Sequence, residues 1–371
     1  MRRPRVKPEH APYRVGGERI RIGGMSYGLA AEIEDPTGAL WTLLGSLDGT
    51  RSVDGAVAAT AARHPGTPPA VLEQAVADLV AAGHVEDAAG PEPAGLTARD
   101  KARHDRGRRW FRWVDLVPRA SSWDAQARLA RSRVTVVGLG GSGAGAAAAL
   151  AASGVGRLHC VDPDAVELSN LNRQVLYSED DIGRPKVDAA VERLARLNTD
   201  IVVTGERLRV TGPAPLAELA QGCDVLLLAA DEPHEIQRWA NRACLATGTP
   251  WVEAGYNGPL VGVGSFVPGE GACFECLLAA DDERRRAQGL RREDAPDWSA
   301  AVAGAVAAPS AALSAALAAH AVLARLTGAP ALAPGRRYGV NLVALDHPVV
   351  IDDPRRPDCL GCGPSREGDE G

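Results

Sequence analysis

Lysine is almost missing from this chain. Of 41 basic residues, only Lys7, Lys101 and Lys186 are lysine, which leaves 38 arginines. Beside so much alanine and glycine this reads as a GC-rich coding bias, so a lysine that persists is a candidate for work arginine cannot do. A positive excess is missing too: the net charge of −6 argues against general nucleic-acid binding by phosphate neutralisation. The opening MRRPRVKPEHAPY has no apolar stretch, so no secretory signal is expected. One long uncharged run exists, at 300–324. It is mostly Ala and Ser and holds Pro309 and His320, which favours a buried helix over a membrane span. Seven cysteines are too odd a set for a disulfide framework, and four fall in two C-x-x-C pairs, which points to a reducing cytoplasm and a metal site. With 45% apolar and 24% charged residues, the chain is neither a fibrous repeat nor wholly disordered, and 371 residues predict two domains.

The pattern divides into three parts: 1–90, a linker and basic arm at 91–130, and 131–371. In the first, residues 13–24 alternate around Gly16-Gly17 and read as a hairpin, with 27–34 as a third strand. Three helices are predicted at 35–49, 52–63 and 69–82, and GHVED reads as a short strand. Three strands and three helices give a small winged-helix-like α+β domain. DNA recognition is disfavoured, because residues 1–90 carry 9 basic against 11 acidic side chains and the last helix has no Lys or Arg. A peptide-binding module with a strand open to β-augmentation, or a structural appendage, remains. Seven basic residues (Arg99, Lys101, Arg103, Arg106, Arg108, Arg109, Arg112) then face Asp100 and Asp105, as a solvated helix or an arm that contacts phosphate.

The third part alternates strands and helices, the rhythm of an α/β, Rossmann-like doubly wound sheet. RVTVVG, RLHCVD, IVVTG, DVLLLAAD and PWVEAG read as buried strands, with helices at 142–153, 186–198 and 235–247 between them. G-x-G-x-x-G stands at Gly138, Gly140 and Gly143, after a strand and opening a helix, where backbone approaches phosphate and helix N–H groups face an anion. Asp162 follows Gly143 by 19 residues, placed to accept hydrogen bonds from ribose hydroxyls. Alone this fits a nicotinamide enzyme. The next stretch, with S-N-L-N-R-Q and G-R-P-K, does not. Hydride transfer has no use for an Arg and a Lys near phosphates, whereas nucleotidyl transfer develops charge there. Lys186 also sits at a helix start, unfavourable for a cation unless an anion faces it.

Cys273-x-x-Cys276 and Cys359-x-x-Cys362, with 82 residues between, fit a closed tetrahedral structural zinc site. Cys160, Cys223 and Cys244 read as packing residues.

At this point the chain resembles the ubiquitin-activating-enzyme superfamily of the ThiF/MoeB/HesA type. The carriers are GLGGSG (with Gly141 inside it), VDPDAVELSNLNRQ, GRPK, AAD and the cysteine pairs. The resemblance implies an adenylyltransferase that activates a carboxylate with ATP and Mg2+. It implies that Asp162 holds ribose, that Asn170, Arg173 and Lys186 bind phosphates and stabilise the transition state, with Gln174 extending the motif, and that Asp231 binds magnesium. It also implies a homodimer in which an arginine enters from the partner protomer. R-H-D-R at 103–106 makes Arg106 the candidate, with His104 where the family has Tyr. The charged stretch 281–297 corresponds to a solvated loop or a crossover loop over the peptide tail. No cysteine lies between Cys276 and Cys359, so the reaction is expected to stop at the adenylate or to pass it straight to an amine, amide or hydroxyl.

The first part looks like a PqqD-like precursor-peptide recognition domain, as in microcin-maturation enzymes of ribosomal peptide natural-product biosynthesis. That implies a leader peptide added beside Tyr27, Leu29, Ala31 and Ile33 and packed on Leu72, Val76 and Leu79. The expected activity is ATP-dependent adenylation of a carboxylate or amide on a precursor peptide (leader plus core), in the cytoplasm, with no nucleic acid or membrane partner. Two alternatives stay open: a non-catalytic scaffold that delivers peptide to a partner modifying enzyme, and a sulfur-carrier adenylyltransferase.

Overall fold

The computed structural model describes residues 1–290 and 305–363. They fall into two units, Met1–Arg128 with Thr327–Ala331, and the remainder from Leu129 onward.

In the first unit, β1 (Pro4–Val6) pairs antiparallel with β5 (Val85–Asp87). A separate antiparallel sheet runs β2 (Tyr13–Val15), β3 (Arg19–Ile22), β4 (Ala31–Glu34). β4 starts later than its sequence predicts, because Gly28 takes φ +81 and the Leu29 and Ala30 amides turn back onto the Ser26 carbonyl. Three helices follow, α1 (Ala39–Ser46), α2 (Val53–Ala61) and α3 (Pro69–Ala81). Ile20, Ile22, Leu43, Leu47, Leu72, Val76 and Leu79 form one buried cluster. Leu72, Val76 and Leu79, where the peptide was expected to pack, are 0%, 3% and 7% exposed and belong to this core. Tyr27 is fully exposed, while Leu29, Ala31 and Ile33 are half-buried around an open β4 edge.

Most of the expected linker and basic arm, 91–130, groups with the first unit. α4 (Ala98–Val114) starts in a Thr97–Asp100 capping box and belongs to the first unit. Its Arg112 is buried and ion-paired to Glu9 at 2.6 Å and Glu86 at 3.3 Å. A buried guanidinium with two carboxylate partners anchors the helix rather than freeing it.

In the second unit, after α5 (Asp124–Arg131), eight strands form one mixed sheet. β8 (Val202–Glu206), β7 (Arg157–Val161), β6 (Arg133–Val137), β9 (Val225–Leu228) and β10 (Trp251–Asn257) are parallel, in that spatial order. Antiparallel β11 (Leu260–Phe266), β12 (Arg336–Asn341) and β13 (Val349–Ile351) extend the β10 side. The central strands carry Val and Leu on both faces and are buried, as two-sided cover by helices requires. The helices are α6 (Gly141–Ala152), α7 (Lys186–Leu197), α8 (Pro213–Gln221), α9 (Ile236–Thr247), α10 (Phe274–Ala287) and α11 (Ala308–Thr327). Chain order reverses between β6 and β9, which opens the crevice where such sheets bind ligands.

By length and composition α11 could cross a membrane, but Ala311, Ala318 and Val322 are wholly buried within this unit. Its small residues press on α6: a Cβ added at Gly141 or Gly145 would come within 2.7 or 2.8 Å of Ala311 or Ala315 Cβ. Of the expected uncharged run 300–324, residues up to 304 lie outside the described residues. Of the charged stretch 281–297, the first residues finish α10, and 291–297 lie outside the described residues.

Candidate functional site

The glycine turn occupies the switch point. Gly138 leaves β6 at φ +91, and a Cβ there would strike the Ala229 carbonyl at 2.5 Å. Gly143 is tighter still, with the Gly138 carbonyl 1.8 Å from where a Cβ would stand. Gly140 has open space beside it and precedes the α6 N-terminus, whose N–H groups and dipole face the crevice. Gly141 lies against Arg173, whose Cγ is 3.6 Å from its missing Cβ. Backbone room and free amides therefore occur together, as a phosphate cradle needs.

Asp162 follows β7 and is buried. Its Oδ2 accepts the Leu139 N–H at 2.6 Å and its Oδ1 the Asp164 N–H at 2.8 Å, so the carboxylate is tied to the glycine turn. Burial raises the Asp162 pKa, against the pull of Lys186. Lys186 reaches it because the loops are stitched by backbone bonds: Val166 N–H to Arg184 O, Gly183 N–H to Val166 O, and Lys186 N–H to Asp164 O, each 2.9 Å. Its buried ammonium lies 3.1 Å from Asp164 Oδ2 and 3.9 Å from Asp162 Oδ1. A capping pair fixes Asn170, whose Oδ1 accepts the Glu167 N–H at 3.1 Å. Arg173 is half-buried and donates to Ser169 O and Asn172 Oδ1, both at 2.9 Å. Gln174 is buried, and its Oε1 has no hydrogen-bond partner among the described residues. Such an atom is costly unless a ligand satisfies it. Asp231 stands exposed beyond the carboxyl end of β9, without a hydrogen bond or ion pair among the described residues. A hard, open carboxylate at this edge could take a divalent cation shared with phosphates.

So Gly138, Gly140, Gly141, Gly143, Asp162, Asn170, Arg173, Gln174, Lys186 and Asp231 gather at one edge of the sheet. Arg106 does not share this unit and lies exposed on α4. Sequence reasoning missed three participants. Asp164 shares Lys186. Tyr177 is buried and donates to the Leu139 carbonyl at 3.1 Å, supporting the turn from below. Tyr256, near the end of β10, lies beside both Arg173 and Asp231; burial raises its pKa while Arg173 opposes the shift. The signal for Tyr256 was its place one residue past PWVEAG, at the same carboxyl edge as Asp231.

The four expected zinc ligands also converge. Cys273, Cys276, Cys359 and Cys362 hold their sulfurs within 4.8 Å of one another. The Cys273–Cys276 separation is 3.8 Å, and Cys273–Cys359 and Cys276–Cys362 are 3.5 Å. Zinc–sulfur bonds of about 2.3 Å place tetrahedral sulfurs about 3.8 Å apart, so the set fits zinc. Backbone amides of Arg356 and Gly361 point at the Cys276 and Cys359 sulfurs, each at 3.4 Å, which favours thiolates. By contrast, burial pushes the Cys160 thiol up to about 12, as for an inert packing residue.

The chain is also similar to known proteins. The sulfur carrier protein ThiS adenylyltransferase of Escherichia coli K12 is 40% identical over 166 residues, covering 44% of this chain and 64% of the relative. The molybdopterin-synthase adenylyltransferase of the same organism is 33% identical over 165 residues, 44% of this chain and 65% of the relative. The chain thus spans just under two thirds of these relatives. In fold, E. coli MccB matches with a TM-score of 0.78 at 22% identity, covering 97% of each chain. A PaaA structure matches with a TM-score of 0.66 at 24% identity, covering 94% of this chain and all of that one. The model of the ThiF family matches residues 115–361, and the chain belongs to that family.

Proposed function

We propose that the chain is an ATP-dependent adenylyltransferase acting on a ribosomally made precursor peptide. The observation that carries the reading is the buried Lys186 ammonium held between Asp162 and Asp164 beneath the glycine turn, at the switch point, with Asp231 open on the facing strand. Asp162 would take the ribose hydroxyls, and the turn and α6 amides the phosphates. A peptide carboxylate oxygen attacks the α-phosphorus, the bond to the bridging oxygen breaks, and pyrophosphate leaves. The carboxylate is already ionised near neutrality, so no general base is needed. Asn170, Arg173 and Lys186 would offset charge on the departing pyrophosphate, and Gln174 would satisfy its bare Oε1 on the nucleotide. When bound, magnesium neutralises phosphate charge, and Asp231 would hold it. Arg106 would enter the site of a second protomer in a homodimer. Zinc would be structural, since four thiolates leave no position for substrate.

The peptide half of the reading is supported by the fold. MccB structures have been solved with ATP and with N-formylated MccA, and that fold covers 97% of this chain, including residues that precede the ThiF match. The first unit, a winged-helix-like and PqqD-like module in this reading, would add a leader strand at the open edge of β4, past Tyr27, Leu29, Ala31 and Ile33. A second reading, activation of a sulfur-carrier protein, is favoured by the ThiS adenylyltransferase match. The two separate in one experiment. The protein is incubated with ATP, magnesium and either precursor peptides encoded beside its gene or a ThiS-type carrier, and pyrophosphate is measured. Release with a peptide supports the proposal. Release with the carrier alone transfers the assignment, and release with neither defeats both.

A further inference from the structure

One amide outside the four thiols lies against both knuckles of that centre. Asn241 lies on α9 and is 1% exposed. Its Oδ1 accepts the Phe274 N–H at 3.1 Å, satisfying one of the four orphan amides at the start of α10. Its Nδ2 donates to Cys273 Sγ at 3.7 Å. The second knuckle rests on the same group, for a Cβ added at Gly361 would come within 3.0 Å of Asn241 Nδ2. Asn241 therefore joins one thiol, the backbone of the first knuckle and the floor of the second, across separations of 32, 33 and 120 positions. A nonpolar side chain would fill this space as well. An amide is needed only if a thiolate must be matched by a donor and the loop amide by an acceptor, which one Asn supplies at once.

We infer that Asn241 is a positioning residue of the metal centre, orienting Cys273 and tuning its thiolate through the N–H···S bond. The inference rests on the reading that the four cysteines hold zinc. Outer-shell donors of this kind set ligand orientation and metal affinity.

The test uses the full-length protein loaded with zinc, and in parallel with cobalt as a spectroscopic probe. Asn241→Asp keeps the acceptor for Phe274 but loses the N–H and brings a carboxylate to the thiolate. It should release zinc to excess chelator about 10- to 100-fold faster than the wild type and shift the thiolate-to-cobalt charge-transfer bands, with an unchanged far-UV spectrum. Should Asn241→Asp fail to fold, Asn241→Leu, close in volume but with neither donor nor acceptor, should speed release in the same direction. A purely packing role would lower thermal stability yet leave the cobalt bands in place, and that result overturns the inference. So do wild-type release rates in both variants. If the wild type takes up neither metal, the zinc reading itself has failed, an outcome distinct from normal metal uptake with an indifferent Asn241.

Discussion

Lys186 is the residue on which composition and structure meet. In a chain where 38 of 41 basic residues are arginine, it is one of three lysines, and its ammonium is buried 3.1 Å from Asp164 and 3.9 Å from Asp162. Such a pocket suits a compact point charge; a planar guanidinium needs more width and would be aimed differently. Lys186→Ala should lower pyrophosphate release by about 100-fold or more, the scale of losing one preorganised group that faces developing charge. Lys186→Arg should recover little of it despite keeping the charge, and pyrophosphate assays on both variants check this. A Lys186→Arg enzyme with wild-type turnover would show that only net charge matters. Scarcity made this lysine legible in advance. Tyr177 and Asp164 offered no such signal, because each is placed by a loop held by backbone bonds among Val166, Gly183 and Arg184, residues distant in sequence.

Helices and strands show a similar division. The central strands β6 and β9 were readable because burial on both faces leaves apolar runs of Val and Leu. β11 was not: in LVGVGSF, glycine holds alternate positions, and Gly264 leaves room for Arg337, which pairs with Glu253 from two strands away. β1 was equally hidden, since Pro4 finds Asp87 only across the first unit. The start of α1 moved for a local reason. Asp35 does cap it, but its carboxylate reaches forward to the Leu40 and Trp41 amides, at 3.0 Å each, while Gly38 turns at φ +73. At this scale the testable contact is α6 on α11. Gly145→Ala would gain about 1 kcal/mol of helix propensity against about 1–3 kcal/mol of overpacking, so its sign is not diagnostic. Gly145→Val adds more bulk for less of that gain, and a Cβ there already meets Ala315 at 2.8 Å. It should destabilise the protein by about 1–3 kcal/mol in urea titration, and Ala315→Gly in the same chain should restore part of the loss. If the double variant is no more stable than Gly145→Val alone, these helices do not meet as described.

Across the whole molecule, the acid response of the first unit should be set by a buried histidine pair. In the first, His10 and His84 are buried with their Nδ1 atoms 3.0 Å apart, and His10 Nε2 lies 2.7 Å from the Trp113 carbonyl. A carbonyl only accepts, so His10 carries its proton on Nε2 and receives the His84 N–H at Nδ1. Protonating His10 would set N–H against N–H, and protonating His84 would add a second buried charge near Lys7, with Arg112 close to His10 and only partly offset by Glu9. Burial lowers both pKa values, that of His84 from 6.5 to about 4, with the charges of His10 and Lys7 adding to it. In that window the unfolded chain binds more protons than the folded one, so this contribution is complete above pH 6.5 and lost as pH falls toward 4. In the second unit burial lowers His320 in the same sense, while burial raises Asp162, whose folded form therefore binds more protons than the unfolded one and opposes that loss. Calorimetry from neutral pH down to about pH 5, between these His values, should therefore show the transition of the first unit moving to lower temperature. His84→Gln should make that transition far less dependent on pH. A single transition that moves identically in wild type and variant would mean that the histidine pair does not govern the acid response of the first unit.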